Sequence, residues 1–212
     1  GRSRGSRAQP GHDLEYEVTL KLQEVARPSK KTISFHRNEN CSECGGTGAM
    51  KGSQPETCTQ CQGAGQVRQS HGVFTTSRPC PRCGGTGRVI KNPCGACNGA
   101  GQVKRKRELN IDIPAGVESG TRLRVSGEGE AGRHGGPRGD LYIRIKVLSH
   151  EFFERHGIDI ACEAPITFSQ AALGATIRVP TLNGQADLKV PPGTQSGTQL
   201  RLRGHGLSDL RG

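Results

Sequence analysis

The sequence predicts a mainly β chain built as two tandem homologous small β-sandwich domains, the first interrupted by a cysteine-rich insertion and the second cut short. Three observations predict it: apolar residues that alternate with polar ones, an internal repeat, and an uneven distribution of core-forming side chains. Alternation runs through Leu109, Ile111 and Ile113, through Leu141, Ile143, Ile145 and Val147, and through Leu188 and Val190. The repeat pairs Ile113–Glu130 (IPAGVESGTRLRVSGEGE) with Val190–Leu207 (VPPGTQSGTQLRLRGHGL), nine of eighteen residues being identical at a shift of 77. Leu, Ile, Val and Phe number 40 of 212 residues, yet only five of them fall between Cys41 and Gly101, and none of these is Leu. That segment is too poor in apolar side chains to fold by burial and needs a metal or disulfide staple.

The elements follow in chain order. Residues 1–12 (GRSRGSRAQPGH) read as a flexible Gly/Arg linker, basic but without the apolar stretch of a secretory signal. The first β domain comprises residues 13–40 and 102–148. It opens with an alternating strand (LEYEVTL), a short helical turn (KLQEVAR) and a second strand (KTISF). At a shift of 146 the same order recurs as IACEAPI, FSQAALG and TIRVPT, the start of a second β domain spanning 149–212. In that copy Asn183-Gly184 lies between two strand-like runs and reads as a two-residue hairpin turn. The first copy carries residues 41–101 at the same junction. Ser149–Gly157 (SHEFFERHG) reads as a short turn or helix that anchors two phenylalanines between the copies. The second copy has no counterpart of the strand LYIRIKV, so the chain reads as a fragment cut inside its second β domain, or as one whose last strand comes from elsewhere.

Eight of the nine cysteines form four copies of C-x-x-C-x-G-x-G: CSECGGTG from Cys41, CTQCQGAG from Cys58, CPRCGGTG from Cys80 and CGACNGAG from Cys94. Two intervening residues let both thiolates of a pair reach one ion, and a tetrahedral zinc site needs two such pairs. Four pairs therefore predict two Zn²⁺, each held by four thiolates with no open position for a water, which makes the metals structural. Adjacent and nested pairing are both compatible with the spacing. Nested pairing puts Cys41, Cys44, Cys94 and Cys97 on the first ion and Cys58, Cys61, Cys80 and Cys83 on the second. It is favoured because an insertion at a hairpin junction must enter and leave at neighbouring points, giving an elongated two-zinc β-hairpin module. The glycines after each pair suit tight turns with positive φ. Cys162, alone in an apolar stretch, reads as an inert buried thiol.

Composition narrows the function. No apolar run approaches the ~18 residues that span a bilayer, and a cytoplasmic setting follows from the absent signal. A net charge of +11 and the run Lys104-Arg105-Lys106-Arg107 suggest a nucleic-acid-binding zinc protein as an alternative. Against it, only Phe74 in the cysteine segment offers a base-stacking platform. Eight thiolates and two Zn²⁺ would also lower the charge to about +7. A thiol-disulfide oxidoreductase is the second alternative, disfavoured because zinc-held thiolates are poorly available for exchange. Gly127–Gly132 matches G-x-G-x-x-G without a following helix, and neither G-x-S-x-G nor H-E-x-x-H occurs, so no enzyme is expected.

Four C-x-x-C-x-G-x-G motifs inserted into a duplicated β domain resemble the central and C-terminal part of a type I DnaJ co-chaperone of bacterial type. The likeness includes Ile113-Pro114-Ala115-Gly116-Val117, Gly139-Asp140-Leu141-Tyr142 and Val179-Pro180-Thr181-Leu182. The resemblance implies a holdase that binds unfolded or non-native polypeptides and delivers them to a DnaK-type ATPase chaperone, with homodimerisation in the full-length family. No His-Pro-Asp tripeptide of a J domain occurs, so stimulation of the partner's ATPase is not expected of this chain. Carried over by motif, the client pocket comprises Leu14, Ile33, Phe35, Leu109 and Ile143, positions that also suit an ordinary core. Clients would add as an extended strand with an apolar side chain in that pocket.

Overall fold

A computed structural model describes residues 8–71 and 74–208. The chain is mainly β, with small sheets of two or three strands. Its described residues divide into two compact units, one of residues 8–16, 34–108 and 124–142, the other of residues 17–33, 109–123 and 143–208.

Strand β1 (Leu14–Leu20) is followed by a 3-10 turn (Leu22–Val25) and by β2 (Ser29–Asn40). The cysteine segment then forms short strands β3 (Glu56–Thr57), β4 (Gln66–His71), β5 (Phe74–Pro79) and β6 (Arg88–Val89). The chain returns along β7 (Gln102–Ile113), β8 (Arg122–Val125) and β9 (Leu141–Val147). The second repeat supplies β10 (Glu154–His156), β11 (Asp159–Ala161), helix α1 (Phe168–Leu173), β12 (Ala175–Thr181) and β13 (Gly184–Val190).

Sheet order is β1-β9-β8, so β9 is central, and its inward parity of Leu141, Ile143 and Ile145 is at most 1% exposed. β2 pairs with β7. Both strands run well past the apolar residues that predict them. On β2 the buried parity of Ile33 and Phe35 continues to Arg37, 3% exposed, because its guanidinium is paired with Glu39 and Glu128. The polar run HRNEN conceals that extension from a reading of hydrophobic alternation. On β7 the basic residues Lys104 to Arg107 are exposed strand positions.

The repeat is visible in hydrogen bonds. Gly116 N donates to Val25 O at 2.7 Å and Gly193 N to Ala171 O at 2.8 Å, at the same shifts of 77 and 146 that align the sequence. Thr121 N to Glu118 O and Thr198 N to Gln195 O, both 3.2 Å, form the next matching pair.

Several local expectations are corrected. The strand expected over IACEAPI is formed only at Asp159–Ala161, in a two-stranded ribbon with β10, and residues 161–165 are exposed. Cys162 is therefore exposed rather than buried, since it lies just past the paired residues of that ribbon. The β12–β13 register pairs Thr181 with Gly184, so the turn residues are Leu182-Asn183, and Gly184, at φ 132°, opens the returning strand. Ser149–Gly157 contains no helix: bends lead into β10, and Phe152 is 67% exposed instead of anchored. The expected flexible linker 1–12 stops short of its end. Gln9 exchanges backbone hydrogen bonds with Arg133 (3.0 and 2.8 Å), Gly11 N donates to Pro137 O and Glu130 N to His12 O. Residues 1–7 and 209–212, the outer parts of the predicted linker and second domain, lie outside the described residues.

Candidate functional site

Within the cysteine segment the chain folds as one long antiparallel hairpin. Its rungs are the bridge Ala49↔Pro93, the pairs Glu56↔Val89 and Thr57↔Arg88, and β4–β5 from Gln66↔Pro79 to His71↔Phe74. This nesting brings Cys41, Cys44, Cys94 and Cys97 together, and Cys58, Cys61, Cys80 and Cys83 together, with all four Sγ atoms of each set within 4.8 Å of one another.

Each cluster is a pair of knuckles that mirror one another. Cys41 N donates to Gly101 O and Cys94 N to Gly48 O; in the distal cluster Cys58 N donates to Gly87 O and Cys80 N to Gly65 O, all at 2.9 Å. The fourth residue after each second cysteine turns its N–H onto the sulfur: Gly48, Gly65, Gly87 and Gly101 donate to Cys44, Cys61, Cys83 and Cys97 at 3.3 Å. These glycines are required by close approach as well as by positive φ. A Cβ at Gly65 would lie 2.4 Å from Gly85 O and one at Gly87 2.4 Å from Gly63 O.

The donor set fits zinc. With Zn–S bonds of about 2.3 Å, a tetrahedron has S–S edges of about 3.8 Å. The structure shows Cys41–Cys94 at 3.9 Å, Cys44–Cys97 at 3.8 Å, Cys58–Cys80 at 3.8 Å and Cys61–Cys83 at 3.7 Å. Each cluster can hold one zinc ion. The metal would supply cross-linking, since four thiolates saturate it. Without metal the thiols are unequal. Burial pushes Cys61 and Cys94 up to about 11. At Cys44 and Cys83 burial also pushes up, but the N–H groups of Gly48 and Gly46, and of Gly87 and Gly85, outweigh it and bring the thiols to about 7 and about 6.

A second feature lies in the unit that contains the clusters. A cavity of about 300 Å³ is lined by Leu14, Glu15, Tyr16, Ser34, Phe35, His36 and Leu141. The strand β1, at the edge of its sheet, contributes the first three. Tyr16 and Phe35 meet in a tilted ring pair at 6.3 Å between centroids. Of the five residues carried over for a client pocket, Leu14 and Phe35 line this cavity. Ile33 (4% exposed), half-buried Leu109 and fully buried Ile143 belong to the other unit and do not line it. Tyr16 and Leu141 were not among the five. Tyr16 shares the parity of Leu14 and Val18 on β1, a signal present in LEYEVTL; Leu141 begins the alternation of β9.

A family model described as the DnaJ C-terminal domain matches residues 14–212. Chaperone protein DnaJ from each of two strains of Acidithiobacillus ferrooxidans is 49% identical over 201 residues, which is 95% of this chain and 54% of theirs. The chain spans about half the length of the curated relatives it matches. With that match running from β1 onward and four knuckles closing two four-thiolate clusters inside it, the chain belongs to the DnaJ family and to its type I, cysteine-rich branch.

Proposed function

We propose that this chain is the client-binding and zinc-binding part of a DnaJ co-chaperone: it holds non-native polypeptides for delivery to a DnaK-type ATPase, in the cytoplasm and without enzymatic turnover of its own. The observation that carries the reading is the cavity of Leu14, Tyr16, Phe35 and Leu141 beside the edge strand β1. A strand at the edge of a sheet offers backbone hydrogen bonds to any sequence, and an adjoining apolar cavity adds a preference for large apolar side chains, which together describe a non-native segment. Ile33, Leu109 and Ile143 remain in the proposal as apolar positions farther along β2, β7 and β9. We further propose the division into a client-binding β domain (13–40 with 102–148), a zinc module (41–101) and a second β domain (149–212). Among the described residues, no helix is long and apolar enough to cross a membrane.

The zinc ligands support a chaperone over an oxidoreductase, because four thiolates committed to each metal leave none for exchange. The test is suppression of aggregation of a chemically denatured protein, without ATP. Replacing Leu14→Ser together with Tyr16→Ser, both half-buried, is expected to abolish suppression while both zinc ions stay bound. Unchanged suppression refutes the groove. Ile143 is a poor probe, since a carboxylate at a fully buried position would disrupt β9 itself.

A further inference from the structure

Each cysteine cluster has one further side chain against a sulfur, supplied from the same position of the motif. The residue before the second cysteine of the leading knuckle, Glu43 in C-S-E-C and Gln60 in C-T-Q-C, reaches across to the first cysteine of the facing knuckle. Glu43 Oε2 lies 3.9 Å from Cys94 Sγ, and Gln60 Oε1 lies 3.6 Å from Cys80 Sγ. Both residues are exposed, so packing locks neither side chain.

The two positions match in placement and differ in chemistry. Zinc takes Asp and Glu carboxylates as ligands, whereas a neutral side-chain amide is not among its usual donors. A tetrahedral ion with bonds of about 2.3 Å to sulfur and about 2.0 Å to oxygen has an S–O edge of about 3.5 Å. The 3.9 Å between Cys94 and Glu43 is close to that edge, so a small rotation of the exposed side chain brings the carboxylate within reach of an ion held by Cys94.

This side of the proximal cluster is also open. A cavity of about 460 Å³ is lined by Ser42, Glu43, Met50, Lys51, Cys94 and Gly95, so the sulfur and the carboxylate share one opening. Cys94 is only 3% exposed and meets that opening over a small area, which leaves Glu43 as the donor most accessible from solvent. Lys51 on the wall and Arg105, which donates to Ser42 Oγ at 3.2 Å, add two cations. A loaded four-thiolate cluster carries a net charge of about −2, and these cations offset it where an anionic chelator would approach.

We propose that Glu43 is a reserve ligand of the proximal cluster, trading places with Cys94, and that it makes the proximal zinc the exchangeable one of the two. In the trade one Zn–S bond breaks and one Zn–O bond forms. Thiolate and carboxylate are both monoanions, so the charge of the site is unchanged and no atom is oxidised or reduced. The carboxylate faces the cavity, where a multidentate chelator meets a donor set less tightly closed than four thiolates. At the distal cluster Gln60 brings no anion to Cys80, and the four sulfurs keep their ion. The inference rests on two zinc sites per chain and stands whether or not the groove beside β1 binds clients.

The experiment uses the full zinc-loaded chain, with two ions per chain confirmed by elemental analysis. Excess 4-(2-pyridylazo)resorcinol is added, and its zinc complex is followed by absorbance. Two release phases of equal amplitude are expected, with rates at least about tenfold apart, since groups just outside a metal's ligand set shift its binding by about 10- to 100-fold. Pulses of N-ethylmaleimide read by peptide mass spectrometry assign the phases: Cys41, Cys44, Cys94 and Cys97 should be labelled in the fast one, the distal four in the slow one. Glu43→Gln should slow the fast phase about tenfold or more and leave the slow phase unchanged. Glu43→Asp keeps the charge but withdraws the carboxylate by one methylene, so it should be slow as well, which separates ligation from charge repulsion. Gln60→Glu should speed release from the distal cluster. The proposal is overturned if the distal cysteines are labelled first, or if either Glu43→Gln or Glu43→Asp releases zinc at the wild-type rate. A content below two zinc ions per chain would overturn it together with the two-site reading on which it rests.

Discussion

Arg37 offers the sharpest quantitative test of how the cluster-bearing unit is held. Its side chain is 3% exposed, with Nε 3.0 Å and Nη2 2.9 Å from Glu39 Oε1 and Nη1 2.5 Å from Glu128 Oε2. Glu128 sits in the segment between β8 and β9, which is also tied to β2 through Ala131 N to Asn38 O and Asn38 Nδ2 to Glu130 Oε1. Arg37→Ala removes the central cation. Breaking a buried pair by deleting one partner costs about 3–5 kcal/mol. Here Glu128 is 26% exposed and can turn to water, and Glu39 keeps Arg107 at 3.5 Å and Arg138 at 4.0 Å. The expected cost falls accordingly, to about 2–4 kcal/mol.

Local hydrogen exchange reads this directly. Protection of the amides of Gly129, Glu130 and Ala131 should fall about 30- to 1,000-fold in the variant. The effect should also depend on pH. Burial pushes the Glu39 carboxyl up, but the hydrogen bond and charge of Arg37, aided by Arg107 and Arg138, hold it below its usual value. A carboxyl with a depressed folded pKa contributes stability that is fully present above the unfolded value of about 4.3 and is lost as pH falls through the folded one. The gap between wild type and Arg37→Ala should therefore be full at neutral pH and shrink below about pH 4. A protection loss under about threefold at pH 7, or a gap that widens with acid, would refute the ion-pair account.

Three further outcomes are expected. Stripping metal with a chelator should abolish exchange protection across residues 41–101 while leaving β9 protected, because among the described residues of the cysteine segment the buried side chains are six of the eight cluster thiols and Ala49, whereas β9 has its own apolar parity; protection surviving in the stripped hairpin would contradict this. Gly65→Ala would drive a Cβ to 2.4 Å from Gly85 O, so zinc content should fall from two to one per chain, measured by elemental analysis, with the proximal cluster intact. In the zinc-loaded protein, iodoacetamide should modify Cys162 alone on mass spectrometry, since it is exposed and the other eight thiols are committed to metal; adducts on cluster cysteines would count against that commitment.

How much of this was legible depends on whether a feature is written locally. The chelating pairs, the repeat and the helical turn FSQAALG are short-range patterns, and each appears in the structure where its residues predicted it. IACEAPI is shorter as a strand than its alternation suggests, because alternation states only which side of a strand could be buried; among the described residues only Asp159–Ala161 pairs, with β10. The length of β2 was hidden for the opposite reason. Arg37 occupies an inward position that polarity alone excludes, and its carboxylate partner Glu128 lies 91 residues away. The candidate groove shows both cases: Leu14 and Phe35 were marked by the family likeness, but Tyr16 and Leu141 join them only through strand pairing.

By itself the sequence determined the metal chemistry and the duplication. Both depend on spacings of a few residues, which covalent geometry converts into reach whatever the rest of the chain does. Tertiary structure decided which knuckles share an ion, and it added close backbone approach to the reasons each motif ends in glycine. Both are set by contacts between segments far apart in the chain: Cys41 meets Cys94, and Gly65 backs onto Gly85.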